Sequence, residues 1–427
     1  MDKPDSSKML RYRWWIFATL GLAYFFVYFH RLSLSVVADD LVRDFRATAA
    51  AIGLMGSVYF YCYAVMQLPA GLLADSIGPR KTVTMFLLIA AVGSFLFGLA
   101  PTIEFAFIGR VLVGFGVSMV FIPTMKILSR WYRANEFASM AGIFNAVGGM
   151  GVLAGTWLLG LAATRMGWRL SFELIGLCTL AIVFLAWLVV RDHPGDKGWP
   201  DINELEPNTN PPAASIPLLA GMRRVLTTPH FWPVAVWFFF DCGIFFGFGG
   251  LWGGPYLMQV YGMNRTEAGA ILSMIAWGMI IGSPLMGLLS DRLLRSRKKP
   301  FIICATLLSV ELLFLYLHPA GLSRPVLYAV FFTLSVLASA IVIVGFTTTK
   351  ELFPVSIAGT SVGAVNLFPF LGGAVYMPLL GRVLDHFPGA RPGVYTTDGY
   401  TMLLLILFLS ALGALICSLL MKETFSG

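Results

Sequence analysis

Apolar residues in this chain come in long, nearly unbroken runs rather than in alternation or in a narrow helical stripe. Crossing the hydrocarbon core of a bilayer takes about 20 mostly apolar residues. Twelve windows qualify: Trp14–Val37, Ala51–Ala74, Thr82–Pro101, Phe105–Leu128, Ala138–Ala163 and Leu170–Val190 in the first part of the chain. The second part supplies Phe231–Gln259, Ala268–Ser290, Pro300–Leu317, Pro325–Thr348, Ile357–Leu384 and Tyr400–Met421. A run that is apolar on every side offers no face to water, and in lipid a helix satisfies all of its own backbone donors and acceptors. The pattern therefore predicts an all-α membrane protein of twelve transmembrane helices.

The longest polar interruption, Arg191 to Thr228, contains ELEPNTNPPAAS and separates six windows from six. Pro, Asn and acidic residues in such density read as a linker. The expected organisation is a six-helix half at 1–190, a cytoplasmic linker at 191–230 and a second six-helix half at 231–427. The polar, basic stretch Met1–Arg13 leads directly into the first window, which is too long for a secretory signal and lacks a small-residue cleavage site. It reads as a retained span.

Composition agrees with lipid as the solvent: 58% of residues are hydrophobic and 12% are charged, against about 25% charged in an ordinary soluble domain. The net charge of +8 does not point to nucleic acid, because the basic residues sit in short groups between apolar runs. With both termini placed in the cytoplasm, nineteen Lys and Arg fall inside, seven outside and four within spans. That asymmetry obeys the positive-inside rule. The expected location is the cell membrane, of the bacterial inner-membrane type, with lipid as the surrounding partner and a monomeric chain. The five cysteines, Cys62, Cys178, Cys242, Cys304 and Cys417, lie singly in apolar stretches and read as small packing residues.

The loop after the second window reads GLLADSIGPRK, Gly71 to Lys81, and the loop after the eighth reads GLLSDRLLRSRKK, Gly287 to Lys299. Their aspartates, Asp75 and Asp291, are separated by just over half the chain. Duplicated halves are characteristic of secondary transporters. The paired Gly-x-x-x-Asp loops resemble those of the major facilitator superfamily, and the resemblance covers essentially the whole chain. Arg110, Gly114 and Gly116 are similar to that family's signature in the fourth span. Ser76 and Pro79 depart from the usual loop. Gly148, Gly149, Met150 and Gly151 stand where drug antiporters carry a Gly-Pro signature, which argues against drug export.

Three further segments resemble the organophosphate-exchanger and organic-anion-symporter branches: YFHRLSLSVVADDL (Tyr28–Leu41), RDHPGDKGWP (Arg191–Pro200) and AGTSVGAVNLFPFLGG (Ala358–Gly373). The resemblance implies a solute site between the halves near the bilayer midplane and places Arg31 at an anion-binding position. Lys126 falls near a basic position of those branches. Matching WGGPYL puts Phe246 where phosphate exchangers carry a second Arg. Without that second guanidinium a phosphate dianion loses half of its clamp, so a monoanion such as a carboxylate is expected.

Charged residues inside spans are costly and usually face a functional interior. Tyr24, Tyr28, Arg31 and Ser35 follow helical spacing and form one polar stripe; the competing reading has Arg31 snorkel outward. Tyr63 and Gln67, with Tyr59 one turn earlier, line up along the second window and compete between solute contact and packing. Asn145 and Asn366 follow matching glycines in the two halves and serve either solute or helix packing. Lys126 reads either as a solute ligand or as a cytoplasmic anchor, and Arg110 reads as a structural residue, with a part in proton coupling the alternative that the resemblance implies. Asp241 lies deep in AVWFFFDCGIFF, where desolvation favours the protonated form, and is the expected proton-coupling site; the alternative is a structural Asp. Asp75 and Asp291 are expected to gate the cytoplasmic mouth, with Arg130 a partner for Asp75.

The combined expectation is a proton-coupled carrier of a small organic anion, working by alternating access. Anion exchange, amino-acid transport and a non-transporting solute sensor are the alternatives. No metal-ligand cluster, nucleotide loop or nucleophilic constellation occurs in the sequence, so neither an enzyme nor a cofactor is expected.

Overall fold

The computed structural model describes residues 6–200, 218–391 and 393–425. The segment ELEPNTNPPAAS of the expected linker lies outside the described residues. Twelve helices are long and apolar enough to span a bilayer. In order they are Ser7–Val36, Ala49–Gln67, Pro79–Gly98, Ile103–Trp131, Met140–Met166, Trp168–Val189, Phe231–Val260, Arg265–Leu293, Lys298–Leu317, Arg324–Glu351, Ile357–Asp385 and Thr397–Leu420. Each sequence window falls on one of them. Their outer faces carry exposed apolar side chains such as Leu177, Phe184 and Leu420, which suits lipid and would be costly in water.

Several spans depart from a regular helix, which run-length alone does not reveal. The first is α-helical to Leu32 and then tightens into a 3-10 turn, Ser33–Val36. The fifth passes into a π-helical turn at Ala154–Leu158, and the seventh at Phe245–Trp252. Because the ladder changes after Leu32, Ser35 leaves the expected polar stripe. It is fully buried, and its hydroxyl donates to the Leu32 carbonyl at 2.7 Å.

Compactness groups the described residues into two units that differ from chain order. The first comprises 1–31, 62–152 and 166–212; the second comprises 32–61, 153–165 and 213–427. Within the first unit, glycine allows close crossing of the third and fourth spans. A Cβ on Gly93 would stand 2.7 Å from the Gly109 carbonyl oxygen, and one on Gly109 would stand 2.7 Å from the Phe97 nitrogen. The Ser94 hydroxyl donates to the Phe172 carbonyl at 2.9 Å, tying the third span to the sixth.

The segment Arg191–Pro200 is ordered and packed rather than extended. Trp131 Nε1 donates to the Arg191 carbonyl at 3.0 Å, and Lys197 Nζ lies 4.0 Å from the centre of the Tyr12 ring. The third span begins with Gly78 at φ 92° and Pro79 in its first turn. Its exposed N–H groups need an acceptor, and Asp192 Oδ1 accepts from the Arg80 N–H at 2.7 Å.

Within the second unit, the seventh span packs against the eleventh and twelfth. Trp252 Nε1 donates to the Met377 carbonyl at 2.9 Å, and a Cβ on Gly243 would stand 2.6 Å from the Tyr376 ring. The Tyr376 hydroxyl is bonded to Ser410 of the twelfth span.

Candidate functional site

In the first unit, the first span carries its charge at the end of its α-helical part. Arg31 is the penultimate residue of Ser6–Leu32 and only 7% exposed, so it is buried rather than snorkelled to an aqueous surface. Its guanidinium lies 4.4 Å from the centre of the Tyr28 ring and 5.1 Å from that of Tyr63. Aromatic faces attract a cation strongly when both are desolvated, by about 2 kcal/mol. Tyr24 stands one turn further back, its ring 5.2 Å from Tyr28 and stacked on Phe144 of the fifth span at 4.3 Å. Gly148 gives these rings room, since a Cβ there would lie 2.8 Å from Tyr28 and 3.0 Å from Tyr24.

The structure therefore brings Tyr24, Tyr28, Arg31 and Tyr63 together. Gln67, one turn beyond Tyr63, and Asn145, next to Phe144, are both half-buried. Arg110 is buried, 1% exposed, and reaches the backbone of the first span. Both of its terminal nitrogens donate to the His30 carbonyl at 3.3 Å. That carbonyl belongs to the last α-helical turn of the first span, where carbonyls lack intrahelical partners.

Lys126 does not join the aromatic group. It forms an ion pair with Asp75, and its Nζ also donates to the Ala74 carbonyl at 3.2 Å. Asp75 thus meets Lys126 and forms no ion pair with Arg130, which lies one turn further along the fourth span. In the second unit the equivalent loop aspartate, Asp291, pairs with Arg297. The same guanidinium reaches Glu351 at 2.8 Å and the Ser290 hydroxyl at 2.9 Å. Glu423 accepts from the Arg297 backbone N–H at 2.8 Å. Sequence reasoning counted Arg297 only as one of a basic cluster. The signal that singles it out is the repeat itself, because Arg297 aligns with Lys81 when Asp291 is aligned with Asp75.

Asp241 is buried, 1% exposed, and its Oδ2 has no hydrogen-bond partner among the described residues. The seventh span divides its faces at this level. Phe239 and Gly243 meet Tyr376 of the eleventh span, whereas Trp237, one turn before Asp241, meets Phe301 of the ninth at 4.6 Å. Asp241 shares the latter face and lies within electrostatic reach of Cys304 of the ninth span. Phe246 is buried, with its ring 4.7 Å from Phe60 and its Cβ close to Gly373. Asn366 is half-buried at the junction of two helical segments of the eleventh span, Val355–Val365 and Leu367–Asp385. Among the described residues, no group of three or more His, Cys, Asp or Glu is arranged to hold a metal ion.

Known proteins resemble this chain along its full length. It is 25% identical to the membrane sensor protein UhpC of Salmonella typhimurium, over 94% of this chain and 93% of the relative. It is 26% identical to a protein of Bacillus subtilis described as a probable galactarate/D-glucarate transporter, GudP, over 89% and 87%. Among solved structures, a bacterial homologue of the human lysosomal transporter Spinster superposes with a TM-score of 0.77 at 18% identity, covering 97% of this chain and 98% of that one. The fold is therefore the twelve-helix arrangement of two pseudo-symmetric six-helix halves. The family description "Major Facilitator Superfamily" matches residues 20–377 and 248–424. With its spans, its repeated Asp loops and a match over nearly its whole length in agreement, the chain belongs to the Major Facilitator Superfamily.

Proposed function

We propose that this transporter carries a small organic anion, a carboxylate, by alternating access and in symport with protons. The observation that carries the reading is Arg31, a buried guanidinium backed by the faces of Tyr28 and Tyr63. A fixed cation inside a span is costly unless it has work to do, and a guanidinium matches a carboxylate in charge and shape. The similarity to a protein described as a galactarate/D-glucarate transporter favours the same chemistry, since sugar acids are polyhydroxy carboxylates. Phe246, in place of a second Arg, favours a single anionic group over a phosphate ester. Tyr24, Gln67, Asn145 and Asn366 are the proposed polar contacts for the rest of the solute.

Asp241 is the proposed proton site. Its buried carboxyl has an oxygen without a hydrogen-bond partner, a setting in which gain and loss of a proton change the local energy strongly. Asp75 and Asp291 are the proposed gate residues of the cytoplasmic end, with Lys126 and Arg297 as their partners. The proposed location is a cell membrane with both termini in the cytoplasm, a reading supported by the distribution of Lys and Arg.

Purified protein in liposomes tests this reading. Uptake of sugar acids and simple carboxylates is measured against hexose phosphates, with and without an inward proton gradient. Carboxylate accumulation driven by the gradient is expected, and Asp241→Asn is expected to abolish accumulation while sparing exchange. Uptake of phosphate esters alone overturns the solute class, and gradient-driven accumulation unchanged in Asp241→Asn overturns the proton site. A second reading, a solute sensor, is favoured by the similarity to UhpC. Ligand-induced thermal stabilisation without any flux would select it.

A further inference from the structure

The polar segment Arg191–Pro200, which follows the sixth span, does more than cap the third. Within the first unit it brings Arg191 beside Arg80, and the two guanidiniums converge on one acceptor. Arg80 Nη2 and Arg191 Nη1 both donate to the Trp187 carbonyl, the second at 3.4 Å, and Arg191 Nη1 also donates to the Val190 carbonyl at 2.7 Å. A guanidinium carries five N–H donors, so these bonds use only part of either group. Arg80 Nε is buried without a hydrogen-bond partner among the described residues.

The carboxylates within electrostatic reach of Arg80 are Asp192 and Asp196, and both are committed to backbone. Asp192 Oδ1 accepts from the Arg80 N–H at 2.7 Å, and Asp196 Oδ2 accepts from the N–H groups of Asp192 and His193 at 3.1 and 3.2 Å. Among the described residues neither Arg80 nor Arg191 forms an ion pair. The helix start is therefore already capped, and the donors left over belong to the guanidinium side chains.

Two like charges that share one carbonyl repel each other, and a third cation, Lys81, is exposed beside Arg80. Their surroundings are those of a lipid boundary. The Arg80 guanidinium lies 4.4 Å from the centre of the Trp187 ring, which is 47% exposed. Phe184 is exposed one turn before Trp187 on the sixth span. On the third span Met85 and Leu88 continue, at helical spacing, the exposed stripe that Lys81 begins. Exposed apolar side chains next to cations, with a Trp at the junction, mark the depth at which acyl chains give way to headgroups. The distribution of Lys and Arg favours the cytoplasmic leaflet, whose surface carries anionic lipid.

We propose that Arg80, Arg191 and Lys81 form a site for the headgroup phosphate of an anionic phospholipid, whose acyl chains lie along Met85, Leu88 and Phe184. The two free oxygens of a phosphodiester match a pair of guanidiniums in charge and geometry. Bridging them replaces repulsion by attraction and fixes the docked segment to the third span. A zwitterionic headgroup brings its own cation next to Lys81 and binds less well. A free phosphate gains nothing from the apolar stripe. The inference concerns the membrane partner and is independent of the solute.

The test uses the purified, delipidated full chain in detergent. Equal amounts of phosphatidylglycerol and phosphatidylcholine with the same acyl chains are added, and the bound ratio is read by native mass spectrometry. Phosphatidylglycerol is expected to bind several-fold in preference and to raise the thermal midpoint more. Arg80→Gln with Arg191→Gln should bring the ratio close to one. Arg292→Gln with Arg295→Gln, which removes two exposed charges from the equivalent loop of the second half, should leave it unchanged. Arg191→Gln alone should lower the ratio by an intermediate amount, and it serves in place of the double variant if that chain fails to fold. A preference that survives the loss of Arg191 and Arg80, or that falls equally without Arg292 and Arg295, overturns the site. Displacement of phosphatidylglycerol from the parent by inorganic phosphate or glycerol 3-phosphate overturns the lipid as its occupant.

Discussion

Arg31 holds its guanidinium 4.4 Å from the centre of the Tyr28 ring, one helical turn back along the same span. The ring supplies attraction for the charge without using the guanidinium's planar donors. Arg31→Lys keeps a charge and loses the fork, and uptake efficiency is expected to fall about tenfold to a hundredfold, the worth of a charge-assisted hydrogen bond. Tyr28→Phe keeps the aromatic face and should change uptake little, whereas Tyr28→Leu should weaken solute binding. Concentration dependence of uptake in liposomes separates the three.

Asp75 and Lys126 make a pair that is exposed on the Asp side, with 68% of the carboxylate side chain accessible against 26% of the lysine. Exposed pairs contribute about 0–1 kcal/mol. Asp75→Asn should therefore leave the unfolding temperature within a few degrees of the parent while slowing net uptake, because the pair's proposed work is to hold the cytoplasmic end. Restoration of uptake by exchanging the two charges, Asp75→Lys with Lys126→Asp, would bind the effect to this pair. A fall in thermal stability as large as the fall in uptake would instead make the pair structural.

Asp192 caps a helix to which it is not joined in sequence, accepting the Arg80 N–H at 2.7 Å. Loss of a cap costs about 1 kcal/mol. Asp192→Ala is expected to lower the thermal midpoint of the purified protein modestly, and Asp192→Asn, which keeps an acceptor oxygen, to recover most of the loss. An effect of equal size in both would make the charge, rather than the cap, responsible.

Run-length made the twelve spans legible, because lipid imposes one rule on every spanning segment and that rule is written in hydrophobicity. The loop aspartates were visible because the chain repeats itself. What run-length does not carry is partnership. Lys126 and Arg130 are alike in sequence, and only the position of the last turn of the helix Ala49–Ser76 assigns Asp75 to Lys126. Asp241 stands out as a charge among aromatics, but which neighbour it faces depends on rotation of the seventh span, and that is set by Trp237 and Phe301. Asp40 sits in an ordinary polar segment, and its burial and its pairing with Arg265 arise only from packing between segments far apart in the chain. Arg191–Pro200 shows the same limit: its polar composition suits a linker, while Asp192 docks it onto the start of the third span and Lys197 packs on the Tyr12 ring.

Three spans are shared between the compact units, with the division falling after Arg31, after Tyr61 and after Val152. Two of these points sit within two residues of a change in the backbone ladder, the 3-10 turn from Ser33 and the π-helical turn from Ala154. A helix kinks most readily where its hydrogen-bond ladder is interrupted, so bending of these two spans is expected to concentrate at the turns and to spare the interlocked glycine crossing at Gly93 and Gly109. Substitutions that restore regular α-helix at either turn are therefore expected to stiffen the span that carries it without touching a charged side chain.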